Sequence, residues 1–102
     1  MPVQSQVSED GKALTISVSE RFDISAYNDF SAAYKDKLDQ VTECFIDMST
    51  TEFLDSSALG MLLMFRERAT AADTKVKIVN STPGALNIMK MANLDRLFTI
   101  EE

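Results

Sequence analysis

The chain of 102 residues contains no histidine, no tryptophan, one cysteine, two prolines and three glycines. Each shortage closes a class of chemistry. Without histidine the protein lacks the commonest general base and the commonest metal ligand. A single cysteine, Cys44, makes neither an intramolecular disulfide nor a zinc cluster. Gly11, Gly60 and Gly84 are too widely spaced to build a glycine-rich phosphate loop. Basic residues are in the minority as well. Ten Lys and Arg against sixteen Asp and Glu leave a net charge of −6. Binding a phosphate backbone requires clustered Lys and Arg, so nucleic acid is not an expected partner. No apolar run approaches the roughly 18 residues of a spanning helix, so membrane insertion is not expected either. The start, Met1-Pro2-Val3-Gln4-Ser5, lacks the basic and apolar stretches of a signal peptide. These absences lead to the expectation of a cytoplasmic protein that is not an enzyme, holds no metal or other cofactor, and keeps Cys44 reduced.

What the chain does have is core material: 45% of its residues are hydrophobic. At this length folding buries roughly 65% of the unfolded surface, enough for a core without staples. Residues 1–102 are expected to form one domain.

The apolar pattern divides the chain into alternating elements. Val3, Ser5 and Val7 alternate, Glu9-Asp10-Gly11-Lys12 reads as a turn, and Leu14, Ile16 and Val18 alternate again. That is a β-hairpin with one buried face. Ser25 is placed to cap a helix with apolar positions Tyr27, Phe30, Ala33, Tyr34 and Leu38. Cys44-Phe45-Ile46-Asp47-Met48 reads as a central strand, and Cys44 as a small core residue. After the loop Ser49–Asp55, a helix runs from about Ser56 to Ala71. Lys75–Val79 is a strand. A third helix opens at Pro83, and Leu97–Ile100 closes the chain with a short strand. The order β-β-α-β-α-β-α-β implies parallel strands joined by right-handed crossovers. The expected fold class is α/β: a single-layer, mixed and mostly parallel sheet with helices packed mainly on one face.

Chemistry has few places to sit. Asp47, Glu52 and Asp55 leave one strand end and its loop, and three gathered carboxylates could hold Mg²⁺ weakly; capping and loop hydrogen bonds are the plainer use. The most informative stretch is Phe53-Leu54-Asp55-Ser56-Ser57-Ala58-Leu59-Gly60. Asp55 or Ser56 would be the helix N-cap. A serine hydroxyl at the positive end of a helix is also where a phosphate is held by backbone N–H groups at little cost. Gly60, one turn in, costs about 1 kcal/mol relative to Ala and so suggests a close approach, either to the sheet or to a partner. The helix then continues Met61-Leu62-Leu63-Met64-Phe65, apolar for too many consecutive residues to face one core. Either neighbouring helices bury its flanks, or a strip including Met61, Met64 and Phe65 docks a partner beside Ser56.

At these residues the chain resembles the STAS domains, and within them the bacterial anti-sigma factor antagonists. The resemblance covers nearly the whole chain. It rests on Phe45-Ile46-Asp47-Met48-Ser49, on Phe53 through Gly60, on Lys77-Ile78-Val79-Asn80, on the helix from Pro83, and on Leu94 to Phe98. It implies a STAS-like fold and a phosphorylation site at Ser56, with Asp55, Ser57 and Gly60 shaping it. The implied partners are a serine-protein-kinase anti-sigma factor, or a response regulator carrying such a kinase domain, and a metal-dependent serine phosphatase that resets the site. The alternative within the family is a STAS subunit of a transporter or other regulatory assembly, without phosphorylation. Two departures stand out: Ala58 occupies a position where Gly is common, and many members carry a further C-terminal helix beyond the last strand.

Overall fold

The computed structural model describes residues 3–101. Strands β1 (Val3–Val7) and β2 (Ala13–Val18) form the expected hairpin, paired antiparallel from Val3↔Val18 to Val7↔Leu14. Its turn is held by Asp10, whose carboxylate accepts from the Ser8 hydroxyl and from the Lys12 N–H at 3.0 Å. Strands β4 (Glu43–Asp47), β6 (Lys75–Val79) and β7 (Thr99–Ile100) then add in parallel, giving the order β1-β2-β4-β6-β7.

That order fixes where the helices go. Helix α1 (Tyr27–Tyr34) lies between β2 and β4, α2 (Ser56–Ala71) between β4 and β6, and α3 (Pro83–Met91) between β6 and β7. Each crossover steps in the same direction across the sheet. Right-handed connections that never reverse put every helix on one face. The strand sequences agree: Leu14, Ile16 and Val18 of β2, Cys44 and Ile46 of β4, and Ile78 of β6 are buried beneath the helices. A sheet without a reversal also has no crevice at a topological switch point, where open α/β sheets usually bind cofactors.

Three features depart from the sequence reading. Two short strands, β3 (Arg21–Phe22) and β5 (Phe53–Leu54), pair in parallel as a separate ribbon; the second lies in what reads as a loop. Ser25 does not cap the first helix. It sits in a 3-10 turn, Ile24–Ala26, whose cap is Asp23, and α1 follows with no side-chain cap. Helix α1 also stops at Tyr34, although the apolar spacing continues to Leu38. Asp36 turns left-handed at φ 63°, a conformation Asp tolerates better than most residues. Leu38 still reaches the core, from a second 3-10 turn, Leu38–Gln40.

The centre of the core is aromatic. Phe30 packs on Phe22, Tyr34 and Phe65 at centroid distances of 5.1, 5.5 and 5.7 Å, and Tyr34 meets Phe65 edge-on at 5.0 Å. Tilted and edge-to-face pairs of this kind add about 0.5–1.5 kcal/mol each beyond area burial.

Cys44 lies in the core on β4, and burial pushes its thiol up to about 12. At pH 8 it therefore carries almost no thiolate, the reactive form. Ellman's reagent should leave the native protein unmodified and count one thiol per chain after unfolding in guanidinium. Rapid reaction of the native protein would show instead that β4 opens readily.

Candidate functional site

Three loops meet at the C-terminal edge of the parallel strands, and the start of α2 is pinned among them. The β4–β5 loop is anchored by Thr51, whose buried hydroxyl donates to the Val18 carbonyl at 3.0 Å. The Glu52 and Phe53 N–H groups both reach the Glu20 carbonyl, at 2.8 and 3.1 Å. The Thr82 hydroxyl donates to the Thr51 carbonyl, while its oxygen caps α3 by accepting from Ala85 N–H at 3.2 Å. Gly84, in the first turn of α3, is glycine because a Cβ there would lie 3.0 Å from the Glu52 carbonyl oxygen.

From this platform the chain enters α2. Asp55 is the N-cap, extended at φ −98° and ψ −176°, and its carboxylate accepts from Ala58 N–H at 2.9 Å. Its own N–H is held by the Phe22 carbonyl at 3.3 Å. Ser56 is the first helical residue and is exposed; Ser57 is half-buried. Of the orphan donors at this helix start, Asp55 satisfies Ala58. Among the described residues the Ser56 and Ser57 N–H groups have no protein acceptor. An anion on the Ser56 oxygen would thus meet two free donors and the positive end of a four-turn helix.

Beside this start runs the β3–β5 ribbon. The Arg21 guanidinium lies 4.7 Å from the Phe53 ring centroid and 3.9 Å from an Asp23 carboxylate oxygen. The Ser25 hydroxyl and N–H both donate to Asp23 and hold its carboxyl below the usual carboxylate range.

The three carboxylates singled out in the sequence do not converge. Asp47 accepts from Ser49 N–H at 2.9 Å, Asp55 caps α2, and Glu52 leans on the start of α3. Among the described residues no group of three His, Cys, Asp or Glu is placed to hold a metal.

The docking strip needs correction. Met61 and Phe65 are buried, at 5% and 0% exposure, and only Met64 of the three stands out, at 40%. The reason is helical phase. Ala58, Met61, Leu62, Phe65 and Ala69 form the inward stripe of α2 at spacings of three and four. The outer face carries Ser56, Gly60, Leu63, Met64 and Glu67, all exposed. Leu63 was missed by the sequence reading; so were Ile24 and Phe53, exposed apolar side chains after β3 and on its partner β5, while Tyr27, expected among the inward positions of the first helix, is 41% exposed. A two-residue strand and a 3-10 turn have no periodicity by which to find them.

Gly60 lies on the outer face one turn beyond Ser56, and a Cβ added there meets nothing within 4 Å. The sheet is therefore not what approaches it. Gly60→Ala should raise stability by about 0.5–1 kcal/mol. A thermal melt would register this as a midpoint roughly 2–8 °C higher; a lower midpoint would reveal a packing role for the glycine.

The family described as "Mlab, STAS domain" matches residues 5–100. A STAS-domain containing protein of Pseudomonas aeruginosa (strain UCBPP-PA14) is 35% identical over 100 residues, covering 98% of this chain and 99% of the relative. Two solved structures share the fold. An anti-sigma-factor antagonist (STAS) domain protein from Planctomyces limnophilus superposes with a TM-score of 0.81 at 15% identity, over 98% of this chain and 89% of the other. The Bacillus cell fate determinant SpoIIAA in its phosphorylated form gives 0.72 at 17%, over 96% and 89%. At these identities the likeness is one of fold.

Proposed function

The chain belongs to the STAS-domain family, and we propose that within it this domain is an anti-sigma factor antagonist switched by phosphorylation of Ser56. Membership rests on the family match across residues 5–100 and on the 35% identical relative. The observation that carries the switch is the placement of Ser56: an exposed hydroxyl, first in α2, with two free N–H groups beside it and a cap that does not use it.

In this reading the domain is a substrate and a ligand. A serine-kinase anti-sigma factor, or a response regulator with such a kinase domain, transfers the ATP γ-phosphoryl group to the Ser56 oxygen, and a metal-dependent serine phosphatase removes it. The partner surface in this reading takes in the bare hydroxyl together with exposed apolar side chains: Leu63 and Met64 on the outer face of α2, Phe53 on the strand that leads into it, and Ile24 and Tyr27 after the paired strand β3. Phosphorylation adds about −1.5 to −2 charges. The helix terminus tolerates them, but a partner closing on this face would have to desolvate a dianion beside apolar surface. Glu52 and Asp55 add acidic charge close to Ser56 in the chain, while Asp23 is paired with Arg21. The switch thus acts on binding and leaves the fold as it is. Among the described residues no helix is long and apolar enough to cross a membrane, and the proposed partners place the site of action in the cytoplasm.

The test is phosphosite mapping by mass spectrometry after incubation with the cognate serine kinase and ATP. Phosphate is expected on Ser56, retained in Ser57→Ala and lost in Ser56→Ala. Phosphate on Ser57 alone would move the switch to the neighbouring hydroxyl. No phosphate, with a kinase that binds, would favour a STAS subunit of a transporter or other regulatory assembly.

A further inference from the structure

We propose that the helix-free face of the five-stranded sheet is a self-association surface, on which two copies of this chain stack sheet to sheet. Four parallel strands, β2, β4, β6 and β7, have helices on one face only. Parallel strands are ordinarily covered on both faces. The second face here belongs to no segment among the described residues.

The charges of that face are sorted by strand. On β4 the side chains opposite the core are Glu43, Phe45 and Asp47; on β6 they are Lys75, Lys77 and Val79. Register places Glu43 beside Lys75, Phe45 beside Lys77, and Asp47 beside Val79. Among the described residues Glu43, Asp47 and Lys75 form no ion pair, and Lys77 reaches only Glu101, at 3.7 Å with both side chains largely in water. Phe45, in the middle, is half-buried and stands outside the core cluster.

An acidic column beside a basic one is complementary to itself under one two-fold rotation. An axis running along the strands, midway between β4 and β6, keeps the level of each residue and lays β4 of one copy over β6 of the other. Glu43 then faces Lys75 of the second copy, and Phe45 faces Lys77 in a cation–π arrangement. Each contact occurs twice, as an isologous interface requires. A two-fold axis across the strands would instead lay β4 on β4 and β6 on β6, acid against acid and base against base. Charge therefore selects the first arrangement.

The size of the face sets the strength. Four strands about 17 Å long and the two-residue β7, about 4.8 Å apart, give roughly 350 Å², under half of the ~800 Å² per partner of a standard interface. The dimer is thus weak, forming at chain concentrations on the order of 0.1–1 mM. Both strand sets point the same way, so the two Ser56 sites sit at the same end, clear of the interface. The proposal does not depend on Ser56 being phosphorylated.

Sedimentation equilibrium from 0.05 to 1 mM tests it. The weight-average mass of the native chain should climb from 11.3 kDa towards twice that value. The exposed-face variants Glu43→Lys and Lys75→Glu, checked for folding by circular dichroism, should each stay near 11.3 kDa alone. Mixed in equal amounts they should associate again, and Ser56→Asp should associate like the native chain. A native chain that stays monomeric at 1 mM overturns the proposal. So does a dimer indifferent to both charge reversals, which would have to form elsewhere.

Discussion

Phe65→Ala is expected to destabilise the domain by about 3–5 kcal/mol, a large share of the roughly 5–15 kcal/mol a chain of this size commands. Phe65 is fully buried on the inner stripe of α2 and touches two aromatic rings, Phe30 at 5.7 Å and Tyr34 at 5.0 Å. Removing it leaves a cavity in the layer between α1 and α2 that the flanking rings cannot fill without leaving their own partners. Met61→Glu should be as damaging for a different reason: it places a carboxylate where the side chain is 5% exposed. Met64→Ala, one residue before Phe65 on the outer face, should change stability by under about 1 kcal/mol. Urea denaturation of the three variants measures all of this, with midpoints in the order Met64→Ala well above the other two. Equal losses for Met64→Ala and Phe65→Ala would mean that the phase of α2 is wrong by about a quarter turn.

Ser56→Asp is expected to weaken binding to the kinase-bearing partner by about 2–3 kcal/mol, roughly 30- to 150-fold, while leaving the melting temperature unchanged or slightly higher. The two effects separate because they arise on different sides of the same residue. Towards the fold, a carboxylate at the first position of α2 interacts favourably with the helix dipole, by about 0.3–1 kcal/mol. Towards a partner, it is an uncompensated charge among Leu63, Met64 and Phe53. Ser56→Ala carries no such charge and should bind as the bare hydroxyl does. Calorimetric titration of the three forms against one partner, beside their thermal melts, reads both sides together. A Ser56→Asp variant that binds at full strength would place the docking surface away from α2.

How far these results could be foreseen differs from element to element, for physical reasons. The hairpin was readable because Leu14, Ile16 and Val18 alternate into the core, although β1 keeps only Val3 inside and leaves Val7 44% exposed where one buried face was expected, and β4 and β6 were readable because their core-facing residues fall at every second position. The start of α2 was readable because Asp55 and Ser56 are the residue types that satisfy orphan N–H groups. The β3–β5 ribbon was not: two residues carry no period, and Phe22 and Leu54 are placed by pairing with each other, at the end of a long excursion of chain. The end of α1 was hidden because Asp36 does the work of the glycine one looks for. The outer face of α2 was misread for the opposite reason. Met61 through Phe65 is apolar at every position, so the pattern itself contains no phase. Which side is inward is decided by α1 and the sheet, which are remote in sequence. The same loss of signal concealed the exposure of Leu63, Ile24, Tyr27 and Phe53.

The central claim is that a single hydroxyl carries the regulation. It is tested most directly by measuring, against the same partner, the affinity of the chain phosphorylated on Ser56 and of the chain treated with phosphatase. The account predicts that the phosphorylated form binds at least about 100-fold more weakly, a difference of about 2.7 kcal/mol, with the two forms alike in circular dichroism. Equal affinities, or a phosphorylated form that binds more tightly, would contradict it.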